Sequence, residues 1–511
     1  MRLSLPRLAL LCIGTSACAS KERPPDPAEA VATAAPTEKI SPAPSLQSSA
    51  PPAPAPPVKA EPRVYAKSRF VWIVPQPGGE GWIGYLWLGG SAKLRPLEPV
   101  IANGCTKWVA IEPRGWVCAD GVRATTDADD PAVKVVQKYG PRLDTPWPHE
   151  YGESRGVQRY KTLPSESEQR GREWDLPDHT ARVEKARSGA QRHSSLEGVN
   201  LDPAPELPIV LGDLPGTAHE PRKRLLPTST VSWIAEQRHE GRDFLLSGDL
   251  MWTPKDRVAT YKKVTFSGVR LGKDAKLPLA FFRGKDRPRY QLRGQAMVEA
   301  APGFTRLSWV ALSGREQSVD GETYLETRDG KAWMKKSDAV VPTPQEKTPW
   351  GAPVGGEDTD AAPKGRRTWL EASIWGGWMI AYEGTQPVYA TMISPGRGGT
   401  PVPGKDPLET ASTPTGTFKI TGKFATATME APGEYIHIDV PWTQNFSGPH
   451  ALHGAYWHDD WGNKKSAGCV NVSPIDGKWL YEWTEPEVPD GWHAVRWSPT
   501  TEPATTYVVH P

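Results

Sequence analysis

KSAGCVNVSPIDGKW (Lys465–Trp479) holds the last of five cysteines in a chain of 511 residues. A core cysteine normally sits in an apolar run. Cys469 instead follows Ser466, Ala467 and Gly468, which is turn composition, and precedes Val470 and Asn471. Ser473 is placed to cap a helix, Pro474 suits its first position, and Asp476 falls three residues after the cap. Ile475, Trp479 and either Leu480 or Trp483 then line one helical face. The stretch predicts a strand or turn feeding a helix start. Cys469 is anchored by packing there, while its small neighbours leave room for a substrate. It is a nucleophile, a metal ligand or filler, and the surrounding sequence has to decide.

Upstream the pattern is that of strands. RTWLEASIWGGWMIAYEGTQPVYATMIS (Arg367–Ser394) alternates around Gly-centred turns, and TPTGTFKITGKF (Thr413–Phe424) is a turn feeding a strand. In EYIHIDV (Glu434–Val440), Ile436, Ile438 and Val440 share one face and Tyr435, His437 and Asp439 the other. His453 follows apolar Ala451-Leu452 and precedes Gly454, which removes side-chain bulk where something must approach. Sixteen positions separate it from Cys469, enough for a strand, a polar loop and a return. A thiol becomes an effective nucleophile beside a base or a positive field, so His453 is the leading partner. The backbone N–H groups of Gly468 and Cys469 are positioned to hold a developing oxyanion. The competing reading is a zinc site built from His450, His453 and His458 with Asp459 and Asp460, although their spacing matches no strong helical zinc motif. Tyr456, Trp457 and Trp461 are either a ligand surface or packing, since the chain carries 22 tryptophans.

The N-terminus, MRLSLPRLALLCIGTSACAS, has the anatomy of a signal peptide over residues 1–17, and its apolar stretch is too short to span a membrane. Small residues before Cys18 resemble a bacterial lipobox, with Thr15 where Leu is usual. Cys18 then takes a lipid, and the following Ala19 implies an outer-membrane anchor. Plain secretion is the alternative. Disulfides persist outside the cytosol. Cys12 leaves with the signal, and Cys105 and Cys118 flank a hairpin pattern suited to a disulfide. Cys469 is then an odd, free thiol, unless it pairs with one of those two.

Formal net charge is +2, from 61 basic and 59 acidic side chains, which makes no case for nucleic acid as partner. Residues 21–60 hold 11 prolines and cannot bury a core, so 18–62 reads as an extended tether. Residues 63–125 read as short strands closing on the Cys105 hairpin and resemble a bacterial SH3-like domain. Related closes recur at Gly241–Val258 and Gly321–Val340, so 206–341 reads as degenerate SH3-like repeats. In family terms such modules bind peptidoglycan or act as scaffolds. Residues 126–205 carry dense mixed charge and read as a linker or small helical insertion. A Pro/Gly-rich joint spans 342–365, a catalytic region 366–500, and a tail 501–511.

TPTGTF together with HG…SAGCVN resembles the signature of the L,D-transpeptidase (YkuD-like) family, in which His-Gly is followed by Ser/Thr-His-Gly-Cys, an apolar residue, then Asn or Arg. The resemblance covers about residues 367–500. It implies a β-sandwich-like catalytic domain in a mainly β chain and a nucleophilic Cys469. It also implies His453 as proton acceptor, the Gly454 carbonyl as its orienter, and Ser466, Ala467, Gly468 and Asn471 shaping the substrate site. No cofactor or metal is implied, and the partner is a peptidoglycan stem peptide. Ala467 departs from the pattern by standing where the family has histidine. That puts full activity in question and keeps a catalytically weak or inactive wall-binding lipoprotein as the alternative.

Overall fold

The computed structural model describes residues 61–206, 224–357, 366–431, 435–500 and 502–511. The chain divides into Met1–Lys59 and Ala60–Pro511. The signal peptide, Cys18 and nearly all of the tether lie outside the described residues. What is described is mainly β, with short helices.

Two sheets carry the catalytic region. The first has six strands among the described residues, in the order Val269–Arg270, Gln386–Met392, Trp378–Glu383, Thr368–Ser373, Thr506–His510 and Gly416–Lys419. The second has ten. Its main path runs Val258–Thr260, Glu150–Ser154, Thr230–Trp233, Tyr435–Ser447, Gly422–Ala431, Ala494–Arg496, Gly84–Leu86, Val71–Ile73. The His450–Gly454 strand branches from Tyr435–Ser447 and carries Val470–Val472 beyond it.

Alternation along the strands explains how the sheets meet. Leu370 and Ala372 of the six-stranded sheet share a core with Leu452, Val470 and Val472 of the ten-stranded sheet and with Leu480 of the helix Pro474–Trp483. All are fully buried, each of the larger side chains contributing about 1.5–3 kcal/mol of burial free energy. The other face of the six-stranded sheet is covered as well. Trp369 and Tyr382 stack at 3.9 Å and pack with Phe281 and Trp461. Every residue of Thr368–Ser373 is therefore buried. Glu371 is tolerated there because it accepts from Tyr382 Oη at 2.7 Å and from Gln345 N–H at 3.0 Å.

Three boundaries read from sequence are corrected. Of the two readings of residues 126–205, the helical insertion holds and the linker does not. The segment holds the helices Pro131–Val136, Glu166–Arg172 and Leu176–Arg187, and the strand Glu150–Ser154 inside the ten-stranded sheet. The segment 501–511 is not a tail, since Thr506–His510 runs parallel to Thr368–Ser373 in the heart of the six-stranded sheet. The joint 342–365, over its described part, folds back so that Trp350 meets Trp369 edge-on. The closes at Gly241–Val258 and Gly321–Val340 do share one succession of elements: strand, turn, short strand, 3-10 turn, strand. Nor is 63–125 a free bead. Gly84–Leu86 pairs with Ala494–Arg496, and Val64 and Leu86 pack with Trp492 and Val495.

Candidate active site

Two short parallel strands build the site. His450–Gly454 and Val470–Val472 pair with Leu452 opposite Val470, His453 opposite Asn471 and Gly454 opposite Val472. Side chains on a strand alternate, so His453, Asn471 and the residue two before Asn471, Cys469, share one face. Leu452, Val470 and Val472 point the other way into the core. The apolar residues thus fix the register, and the register delivers the thiol and the imidazole to one side.

The turn before Cys469 is tied down from several directions. Gly468 has φ +128°, and a Cβ there would lie 2.9 Å from both His450 Nε2 and the Ser412 carbonyl, so only glycine fits. Ser466 Oγ accepts from Gly468 N–H at 3.1 Å and donates to the Cys469 carbonyl. Thr413 Oγ1 accepts from Gly396 N–H at 2.8 Å and donates to the Gly468 carbonyl at 2.9 Å. Thr413 therefore couples the TPTGTF segment to the thiol turn. Downstream, Ser473 Oγ accepts from Asp476 N–H at 3.0 Å and starts the helix. The Asp476 carboxylate accepts from Tyr389 Oη and Thr391 Oγ1, both at 2.6 Å.

His453 is buried, with Nδ1 3.3 Å from the Gly454 carbonyl. A carbonyl only accepts, so Nδ1 carries the proton and Nε2 keeps its lone pair. Burial holds the imidazole down to about 4, only partly opposed by that hydrogen bond. Cys469 is a free thiol, partly open to a cavity of about 420 Å³. Burial pushes the thiol up, with the Ala451 backbone N–H pulling the other way. Burial thus favours the neutral form of both groups.

Cys469, His453, Ser466, Ala467 and Asn471 all line this cavity, whereas Gly454 and Gly468 act through their backbones. Asn471 lies with its side-chain amide 3.2 Å from His458 Nε2. His437 lines the cavity and was not among the site candidates read from the sequence. His437 stacks on Trp457 at 4.0 Å, and Trp457 lies 5.8 Å from the His453 ring. The signal was present in the outward face of EYIHIDV, but nothing in the sequence tied that face to Cys469. Of the three aromatics considered as a ligand surface, only Trp457 lines the cavity. Tyr456 is buried against Tyr151 at 3.8 Å and donates to the Ile438 carbonyl, and Trp461 belongs to the core.

The zinc alternative fails on geometry. Among the described residues, His450, His453 and His458 belong to no group of three donor atoms within ligand reach of one another. Their Nδ1 atoms face the Ser447 carbonyl, the Gly454 carbonyl and the Asp460 N–H. Cys105 and Cys118 are joined in a disulfide across their hairpin, with Cα atoms 5.9 Å apart.

In this mainly β domain a free cysteine, just before one strand, and a histidine on the parallel strand beside it line one cavity, groups that could act as nucleophile and base. Residues 373–496 match the YkuD family, described as the L,D-transpeptidase catalytic domain, and that segment contains every cavity-lining residue named above. Solved L,D-transpeptidases are similar over part of their length. One from Xylanimonas cellulosilytica is 19% identical over 29% of this chain and 63% of its own, with TM-score 0.20. One from Enterococcus faecium, carrying a cysteine-to-serine substitution, is 20% identical over 28% and 50%, with TM-score 0.21. One from Mycobacterium tuberculosis is 14% identical over 44% and 77%, with TM-score 0.21. The chain thus spans between half and two thirds of the first two. No curated protein matches the chain.

Proposed function

We propose that the protein is a peptidoglycan L,D-transpeptidase that works through a Cys469 thioester. The observation that carries this reading is the register that sets Cys469 and His453 on one face above one cavity, inside the matched catalytic segment. The Cys469 thiol attacks the carbonyl at the L-centre of diaminopimelate in a tetrapeptide stem. His453 Nε2 takes the thiol proton as the C–S bond forms and returns it to the departing D-Ala amine. An amine on another stem or on a protein lysine then resolves the thioester, and water in its place would give a carboxypeptidase. The Ala467 side chain offers no hydrogen-bond donor and Gly468 N–H is already bonded to Ser466 Oγ, so oxyanion stabilisation falls to the Cys469 backbone N–H. With a base held near 4 and a thiol held above its ordinary value, attack is slow but chemically complete.

The N-terminal sequence supports placing this activity in the cell envelope, on an outer-membrane lipid anchor at Cys18, with the SH3-like segments as wall-binding or scaffold modules. Incubating the purified protein with disaccharide-tetrapeptides and weighing the products tests the activity. Loss of D-Ala with a new cross-link, exchange product or tripeptide is expected, and unchanged substrate with folded protein would end the reading.

A further inference from the structure

A second cavity, of about 680 Å³, lies where a seven-stranded sheet that includes Leu279–Phe282 and Ala339–Val340 meets the turn after Thr368–Ser373. That volume is in the range of small-molecule pockets. Leu277, Pro278, Val341 and Pro344 give it apolar walls, and none of the four is fully buried. Trp375 also lines it and is 55% exposed. This indole borders a concave apolar surface instead of standing alone in water, which is the setting of a contact site. The polar part of the lining is charge-compensated. Arg315 pairs with Glu326 at 3.1 Å and Lys336 with Glu316 at 2.9 Å, and the Arg315, Lys336 and Glu316 side chains are each at least half exposed. Arg283, the remaining cation of the lining, donates to the Gly462 carbonyl at 2.6 Å. That bond ties the cavity to the loop that carries the thiol. Lys464 Nζ stands 4.2 Å over the Trp375 ring, and the next residues, Lys465, Ser466 and Ala467, line the catalytic cavity. One loop therefore touches both cavities.

We propose that this second cavity binds a neutral amino-sugar chain, the glycan that carries the stem peptide, with one pyranose seated on Trp375. The proposal rests on the peptidoglycan reading above and adds the place where the polymer is held. A pyranose has a C–H face and a rim of hydroxyls. The face lies on the indole, whose electron-rich surface attracts C–H hydrogens. The hydroxyls meet Arg315 and Lys336 as donors and Glu316 as acceptor. An acetamido methyl fits against Leu277 and Pro278. The paired charges favour such a neutral, polyhydroxylated ligand over an acidic peptide. Because Lys464 and Lys465 are neighbours in the chain, a sugar on Trp375 delivers its stem toward Cys469.

The test uses the full-length protein and chitotetraose, a neutral β-linked chain of N-acetylglucosamine, titrated by calorimetry. Wild type should bind it, and Trp375→Ala should bind at least about 10-fold more weakly, the scale of a lost aromatic anchor. Trp375→Tyr should keep most of the affinity. Lys336→Ala, at an exposed position, is a second weakening probe should Trp375→Ala fail to fold. Acylation of Cys469 gives the second readout. Trp375→Ala should raise KM for a disaccharide-tetrapeptide while its reaction with the sugar-free tetrapeptide stays within about 2-fold of wild type. No chitotetraose binding by wild type, or equal binding by Trp375→Ala, would overturn the proposal. So would an equal loss toward the sugar-free tetrapeptide, which would mark a peptide site. Trp375-dependent binding by a wild-type protein that never forms a Cys469 adduct would end the transpeptidase reading and leave the sugar site standing. Adduct formation without such binding would do the reverse.

Discussion

His453 and Asn471 are register partners on two adjacent parallel strands, and this pairing turns Cys469, two residues before Asn471, onto the face of the imidazole. Cys469 and His453 are held by the pairing of these strands and by the apolar side chains on the opposite face, Leu452, Val470 and Val472. Local loop geometry matters chiefly at one point, the Gly468 turn.

Gly468→Ala puts a methyl group where His450 Nε2 and the Ser412 carbonyl already stand, at a φ that disfavours any side chain. Backbone strain of this kind costs about 1–3 kcal/mol. We expect a lower melting temperature and a much slower acylation of Cys469 by a chromogenic β-lactam. A variant with wild-type melting and wild-type acylation would show that the turn has slack.

The depressed imidazole of His453 sets a pH profile. Below about 4 the ring is protonated and cannot accept the thiol proton, so acylation should fall tenfold per pH unit there and stay level from about pH 5 to 8. An apparent midpoint near the ordinary histidine value would contradict the burial. Stability carries the same sign. His437 and His493, near 3, and His453 and His458, near 4, stay neutral in the fold while the unfolded chain protonates them at about 6.5. The unfolded state then binds more protons between about pH 6.5 and 4, so melting temperature should drop as pH falls through that window.

Ala467→His restores an imidazole at the mouth of the thiol turn, where position 467 lines the cavity. One oxyanion donor is worth about 2.7–4 kcal/mol in other sites, so acylation should become faster if the ring reaches the developing charge. An unchanged or lower rate at unaltered melting temperature would mean that backbone N–H groups already suffice.

The local parts of this site were legible in the sequence. The Ser466–Gly468 turn, the Ser473 cap and the alternation of Ile436, Ile438 and Val440 needed only neighbouring residues, and those three apolar side chains are buried. What could not be read were pairings over long separations. Residues 126–205 look like a solvated charge run, but Glu173 there binds Arg242 at 2.9 Å and Arg257 at 2.7 Å, partners 69 and 84 positions away. Asp439 was placed on an outward face, yet it is buried and accepts from Ser232 Oγ at 2.5 Å, because Thr230–Trp233 adds a strand beside it. The Thr506–His510 segment reads as a tail until it pairs with a strand 137 residues earlier. Thr413 was noticed as part of a motif, but its hydrogen bonds, from Gly396 N–H and to the Gly468 carbonyl of the thiol turn, became visible only with the turn folded against it.

A Cys469 thiol that carries the acyl group and a His453 imidazole that takes its proton each leave a mass signature. The most direct measurement is intact-protein and peptide mass spectrometry after exposure to a carbapenem and, separately, to a disaccharide-tetrapeptide. It compares wild type with Cys469→Ser and His453→Ala, each checked for unaltered melting. A single adduct is expected on Cys469 in the wild type, none in Cys469→Ser, and formation at least about 10²-fold slower in His453→Ala. An adduct on any other residue, or equal rates in wild type and either variant, would contradict these roles.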